Sequence, residues 1–138
     1  MKSRFLNILL VEDDEVDVMN VKRAFQKNHI TNPLFVAQNG VEALEKLRNN
    51  EVTPGRRIVL LDLNMPKMNG IEFLRELRSD PALASTPVVV LTTSNNDRDK
   101  IEAYNFNVAG YLVKPVTFND FSELMVTLNK YWTLVELP

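Results

Sequence analysis

The chain predicts an α/β protein built on a doubly wound parallel sheet, and three observations carry that expectation. Apolar runs alternate with helix-period segments five times along 138 residues. The runs at 58–61 and 88–91 are continuous Val, Ile and Leu with no polar alternation, the mark of strands covered on both faces. Acids, hydroxyls and a lysine then follow the runs, where open α/β sheets present their ligands, beyond the strand carboxyl ends.

Each element has its own signal. Residues 6–11 read as the first strand, and a helix over 15–29 follows, with Val18, Val21 and Phe25 on one stripe and acids in its first turn. Residues 34–37 form a short second strand closed by Asn39-Gly40, and Val41, Leu44 and Leu47 supply the buried face of the second helix. A polar connection at 49–55 leads to the third strand at 58–61. Ile71, Leu74, Leu77 and Arg78 mark a third helix that stops near Ser79-Asp80-Pro81. The fourth strand is 87–91, and a weaker helix at 97–106 has Ile101 and Tyr104 as its clearest anchors. The fifth strand is 110–113 and the last helix 118–135. Right-handed crossovers leave few topologies, of which the order 2-1-3-4-5 is the usual solution for five such strands. That order brings the carboxyl ends of strands 1, 3, 4 and 5 to one rim.

Bulk composition narrows the function. Hydrophobic residues are 45% and charged residues 25%, which fits one ordinary globular domain spanning 1–138. The net charge is -2, from 16 Lys+Arg against 18 Asp+Glu, so no electrostatic footprint for nucleic acid is expected. The absence of cysteine excludes disulfides and thiolate metal sites. Lys2 and Arg4 before an apolar stretch resemble a signal peptide, but Asn7 interrupts it and Glu12-Asp13-Asp14 ends it without a small-residue cleavage site. No segment approaches the roughly 20 apolar residues of a membrane span. The expected location is the cytoplasm, with no membrane partner and no output domain.

At the rim stand Glu12-Asp13-Asp14, Asp62, Thr92-Thr93 and Lys114-Pro115. Any one of them has an ordinary explanation: acids before a helix cap it or meet its dipole, and a lone lysine is usually a solvated charge. Their joint arrival at one rim points instead to a site. Glu12, Asp13 and Asp62 crowded together would repel one another and raise their pKa values, so positive charge must offset them. Lys114 supplies one charge and a divalent cation two. An all-oxygen donor set favours Mg²⁺, Mn²⁺ or Ca²⁺, and Mg²⁺ fits best because it takes one or two carboxylates, keeps water and shares a phosphate. Asp62 can then serve as the nucleophile that becomes an aspartyl phosphate, with Lys114 neutralising the same charge and Thr92 bonding the phosphoryl group.

The sequence resembles the response-regulator receiver domains of two-component signalling, whose fold is flavodoxin-like. The resemblance covers essentially the whole chain. It rests on Leu10-Val11-Glu12-Asp13-Asp14, on Leu61-Asp62-Leu63-Asn64-Met65-Pro66 with Asn69-Gly70, on Thr92-Thr93-Ser94, and on Tyr111-Leu112-Val113-Lys114-Pro115. It implies that Asp62 accepts phosphate from a phosphohistidine on a kinase. It further implies that Asp13, Asp62 and the Asn64 backbone carbonyl ligate Mg²⁺, with Glu12 acting mostly through water. Glu12 departs from the commoner Asp, but its longer side chain should still hold a metal water. Thr92 and Tyr111 are the implied switch pair, Lys114 the phosphate contact, and the Lys114–Pro115 bond is implied to be cis. Such a protein is no enzyme in the ordinary sense: it catalyses its own phosphorylation and dephosphorylation.

The last helix carries a stripe of Phe118, Phe121, Met125, Leu128, Trp132 and Val135, widened by Leu124, Tyr131 and Leu134 beyond the ~100° that packing on a sheet requires. That width predicts an interface through Phe121, Met125, Tyr131 and Trp132, most simply a homodimer. The C-terminal tail and the extended loop before the third strand are similar to single-domain regulators paired with bacterial, chiefly cyanobacterial, phytochromes. A bacteriophytochrome kinase is therefore the implied partner. A phosphorelay intermediate serving a histidine phosphotransfer protein is the alternative within the same family.

Readings from other classes fit less well. A haloacid-dehalogenase-like phosphohydrolase carries its nucleophile on an early strand in an Asp-x-Asp motif and has a cap domain. Here the nucleophile follows the third strand and Asn64 replaces the second Asp. A flavodoxin-type FMN carrier needs a Gly/Ser/Thr-rich phosphate loop after strand 1, where this chain has acids. A receiver-like module that has lost phosphorylation would not keep the full site. His29, alone near a helix end, reads as a dipole partner rather than a phosphotransfer group.

Overall fold

The computed structural model describes residues 6–52 and 56–135. Residues 1–5, part of the 49–55 connection and the end of the C-terminal tail lie outside them. The elements run β1(Asn7–Val11), α1(Glu15–Lys27), β2(Leu34–Ala37), α2(Gly40–Arg48), β3(Arg57–Leu61), α3(Gly70–Ser79), β4(Val88–Thr92), α4(Asp97–Asn105), β5(Gly110–Val113) and α5(Phe118–Leu134). All neighbouring strands are parallel, in the order β2-β1-β3-β4-β5. The fold and its strand order are those read from the sequence.

The continuous apolar runs divide between two cores by simple strand alternation. Leu9, Val11, Val59, Leu61, Val88 and Val90 face the core under α2, α3 and α4, where Leu44, Leu47, Phe73, Leu74 and Leu77 meet them. Ile8, Leu10, Ile58, Leu60, Val89 and Leu91 face the opposite core, covered by α1 and α5 through Val21, Phe25, Met125 and Trp132. Both faces of β1, β3 and β4 are therefore buried, which is why neither face reads as polar.

The end of α1, the limits of β4 and the buried face of α4 differ from expectation for local reasons. α1 ends at Lys27 because His29 takes a left-handed φ of 55°. The His29 N–H donates to the Gln26 carbonyl and that of Ile30 to the Phe25 carbonyl, a Schellman closure. His29 thus lies past the helix end and serves as its backbone turn. β4 begins one residue later than expected, after Pro87, and takes in Thr92. α4 buries only Ala103, while Ile101 and Tyr104 are exposed. The anchors expected there are corrected: the smallest apolar side chain faces the sheet and lets the helix backbone lie close.

α5 also corrects an expectation. Phe121, Met125 and Trp132 are core residues, with Trp132 only 1% exposed. The Trp132 ring meets Phe25 edge-on at 6.2 Å, and its indole N–H donates to Asn129 Oδ1 at 2.7 Å. Three of the four predicted interface residues are thus committed to the fold; Tyr131, with Leu134 beside it, remains exposed. The stripe is wide because its centre packs on the sheet and its margin does not.

Candidate functional site

Strand register assembles the site. Val11 lies opposite Leu61, so Glu12 and Asp62 leave the sheet side by side, and the Asp62 N–H donates to the Val11 carbonyl at 3.1 Å. Leu61 pairs with Val90 and Thr92 with Val113, which carries Thr92 and then Lys114 to the same rim. The Lys114 N–H donates to the Thr92 carbonyl at 2.8 Å.

The loop after Asp62 is shaped by backbone geometry. Lys67 and Met68 take positive φ values of 47° and 66°, turning the chain so that Asn69 caps α3 in a capping box with Glu72. Gly70 sits against the loop itself: a Cβ there would lie 2.7 Å from the Asp62 carbonyl oxygen and the Leu63 Cα. Only glycine permits that approach, so α3 abuts the segment that holds Asp62.

Asp62 is buried, and its two oxygens have different surroundings. Oδ1 accepts from the Thr92 hydroxyl at 2.8 Å and from the Asn64 N–H at 3.3 Å. Oδ2 faces Lys114 Nζ at 3.8 Å. The ammonium itself donates to Glu12 Oε1 and, at 2.8 Å, to Asp17 Oδ2. Burial pushes the Glu12 carboxyl up to about 8, against the pull of Lys114 and with a smaller push from Asp62. Burial, more than the mutual repulsion expected from the sequence, is the larger cause. Burial pulls the Lys114 ammonium down, but its bonds to Asp17 and Glu12 outweigh that and hold it above its ordinary value.

Glu12, Asp13 and Asp62 each place a carboxylate oxygen within 4.8 Å of the others. Three hard oxygen donors with no sulfur or imidazole suit a divalent cation of the Mg²⁺, Mn²⁺ or Ca²⁺ type. The Asn64 backbone lies against the same carboxylate through its N–H.

The two expected switch residues are linked through Ser94. The Ser94 N–H donates to Thr92 Oγ1 at 3.4 Å, and the half-buried Tyr111 donates its hydroxyl to the Ser94 carbonyl at 2.9 Å. The Ser94 hydroxyl donates to Asp99 Oδ2 at 2.6 Å, in the first turn of α4. One expectation fails: the bond between Lys114 and Pro115 is trans, as is every peptide bond among the described residues. Trans is the lower state of an X-Pro bond by about 0.5–1 kcal/mol, and Lys114 reaches Glu12, Asp17 and Asp62 from the trans backbone.

Two residues of the site were not legible as such. Asp17, at the end of α1's first turn, reads in sequence as one more dipole acid, and only the fold shows it on Lys114. Asp99 likewise looks like a solvated helix-start acid. The signal available for both was their position in helices that open at the rim.

Residues 8–126 match the family model of the response regulator receiver domain. The chain belongs to that family. Among its relatives is a probable methanogenesis regulatory protein, FilR2 of Methanothrix harundinacea, 41% identical over 128 residues that cover 91% of this chain and 82% of that protein. The response regulator Rcp1 of Synechocystis is 36% identical over 135 residues, covering 95% and 92%. In structure, the receiver resembles the phosphorylated cyanobacterial phytochrome response regulator RcpA with a TM-score of 0.87 at 32% identity, covering 97% of this chain and 99% of that one. Rcp1 has also been solved in a Mn²⁺-bound form, with a TM-score of 0.85 and coverage of 96% and 99%. No helix among the described residues is long and apolar enough to cross a membrane.

Proposed function

We propose that this receiver is a stand-alone cytoplasmic regulator that takes a phosphoryl group from a histidine kinase onto Asp62 and signals by protein contact. The observation that carries this is the setting of Asp62. It is a buried carboxylate with one oxygen held by Thr92 and Asn64, the other facing Lys114, and an acid pair beside it.

In the transfer, an Asp62 oxygen attacks the phosphorus of a kinase phosphohistidine. The P–N bond breaks and its electron pair returns to the imidazole, which keeps or gains a proton. Asp13, Asp62 and the Asn64 carbonyl would hold Mg²⁺, with Glu12 acting through water. Bound there, the cation supplies charge neutralisation for the carboxylates and the incoming phosphoryl oxygens. Lys114 offers its ammonium to the same oxygens, and the Thr92 hydroxyl turns from the carboxylate to the new acceptor. Because Thr92 and Tyr111 both bond Ser94, a shift of Thr92 is felt at Tyr111 and at the start of α4. The roughly −1.5 to −2 charge of a phosphoryl group is the event that biases this element.

Exposed apolar residues flank the crevice: Val16 and Met19 on α1, and Val116 after β5. Lys114 and Asp17 tie those two elements together. A kinase helix presenting the phosphohistidine would cover this surface. Likeness to the phytochrome regulators Rcp1 and RcpA supports a phytochrome-type kinase as the partner. A homodimer would use the other side, where Leu112, Leu124, Leu128 and Tyr131 line an apolar groove of about 220 Å³ between β5 and α5. Incubation with acetyl phosphate and Mg²⁺, wild type against Asp62→Asn, tests the core of the proposal. Intact mass should show one added phosphoryl group on wild type alone; equal labelling of both would refute Asp62 as the acceptor.

A further inference from the structure

Lys114 Nζ stands among three carboxylates and has three N–H donors. Two are engaged, one by Glu12 and one by Asp17 Oδ2 at 2.8 Å. The third has Asp62 Oδ2 as its partner at 3.8 Å, beyond hydrogen-bond range. A phosphoryl group on Asp62 would project its oxygens into that gap. The lysine side chain is only 8% exposed, so its head stays where its partners hold it; Asp17, 34% exposed, stands at the mouth of the site.

We propose that Asp17 is a positioning residue for phosphoryl transfer, holding the Lys114 ammonium so that one donor stays free and faces the phosphoryl position on Asp62. This rests on the reading of Asp62 as the phosphoacceptor. Asp17 is itself placed by the helix cap, since Asp14 Oδ1 accepts from the N–H groups of Val16 and Asp17 at 2.8 and 3.3 Å. Without Asp17, Asp62 Oδ2 at 3.8 Å is a carboxylate oxygen within reach of the freed donor, whereas Oδ1 already takes Thr92 and Asn64. The lysine then closes onto the oxygen it should leave free and is no longer aimed at the incoming group. Asp17 is not one of the three acids grouped as a cation site, so replacing it alters lysine placement without removing a candidate metal ligand.

The test is the rate at which the intact protein is labelled by acetyl phosphate with Mg²⁺ over a range of donor concentrations, read by intact mass. In that reaction Asp62 attacks phosphorus and acetate leaves. Asp17→Ala should lower the maximal rate by about 10-fold, short of the ~100-fold that a misplacement of about 1 Å can cost, and Asp17→Glu should recover much of the loss. Mg²⁺ affinity by calorimetry is followed in the same variants, and labelling is compared at saturating Mg²⁺, so that weaker metal binding is separated from slower transfer. A purely electrostatic role predicts the opposite sign, because removing a negative charge favours an anionic donor. Labelling of Asp17→Ala at or above the wild-type rate, or a Glu variant no better than Ala, would overturn the proposal. Asp17→Asn serves as the second variant should the Ala protein melt early. Failure of wild type to take up phosphate would instead refute the receiver site itself, and this inference with it.

Discussion

The Thr92 hydroxyl donates to Asp62 Oδ1 at 2.8 Å, and both side chains are buried. The proposed phosphoacceptor and the proposed switch residue are thus in direct contact, and the same threonine oxygen accepts from Ser94 on the way to Tyr111 and α4.

Thr92→Ala breaks this chain at its first link. A hydrogen bond to a charged group contributes about 1.5–3 kcal/mol, so thermal melting should show a stability loss of that order. Labelling of Asp62 should persist, while the phosphorylated variant binds its partner no better than the unphosphorylated protein. Wild-type-like coupling in that variant would exclude the route through Thr92.

Gly70→Ala should damage the site from behind. Its new Cβ would meet the Asp62 carbonyl oxygen and Leu63 Cα at 2.7 Å, and overpacking of this kind costs about 1–3 kcal/mol. Because the obstacle is the backbone that carries Asp62, slower phosphorylation should accompany the lower melting temperature.

The metal-free protein should lose stability as pH rises from about 4.5 to about 8. Glu12 holds its proton more tightly when folded, with a pKa pushed up from 4.5 to about 8. Its contribution is therefore fully present below 4.5 and is lost as pH climbs through the folded value. Melting temperature against pH checks this, with Glu12→Gln as the control that should flatten the curve. Saturating Mg²⁺ should flatten it too, since the cation favours the deprotonated acids.

α5 divides into two kinds of residue that mutation should separate. Trp132→Ala opens a cavity beside Phe25 and should cost about 3–5 kcal/mol. Tyr131→Glu, on the exposed margin, should leave melting nearly unchanged and weaken self-association in sedimentation. A Tyr131→Glu protein that sediments like wild type at every concentration would remove the dimer from this face.

Much of this protein was set by sequence alone. Unbroken apolar runs at 58–61 and 88–91 demand two covered faces, which with five βα repeats leads to the observed strand order. The acids, threonine and lysine at the strand ends then had to converge, because parallel strands in that order end at one rim. Tertiary structure decided what periodicity cannot carry. It placed Asp17 on Lys114, a contact made across 97 residues by the angle at which α1 leaves the rim. It turned Ala103 inward in place of Ile101 and Tyr104, and it put Phe121, Met125 and Trp132 in the core while leaving Tyr131 outside. A helical stripe states how many residues can be buried; which of them are, and which polar side chains meet across elements, follows only from how the helices seat on the sheet.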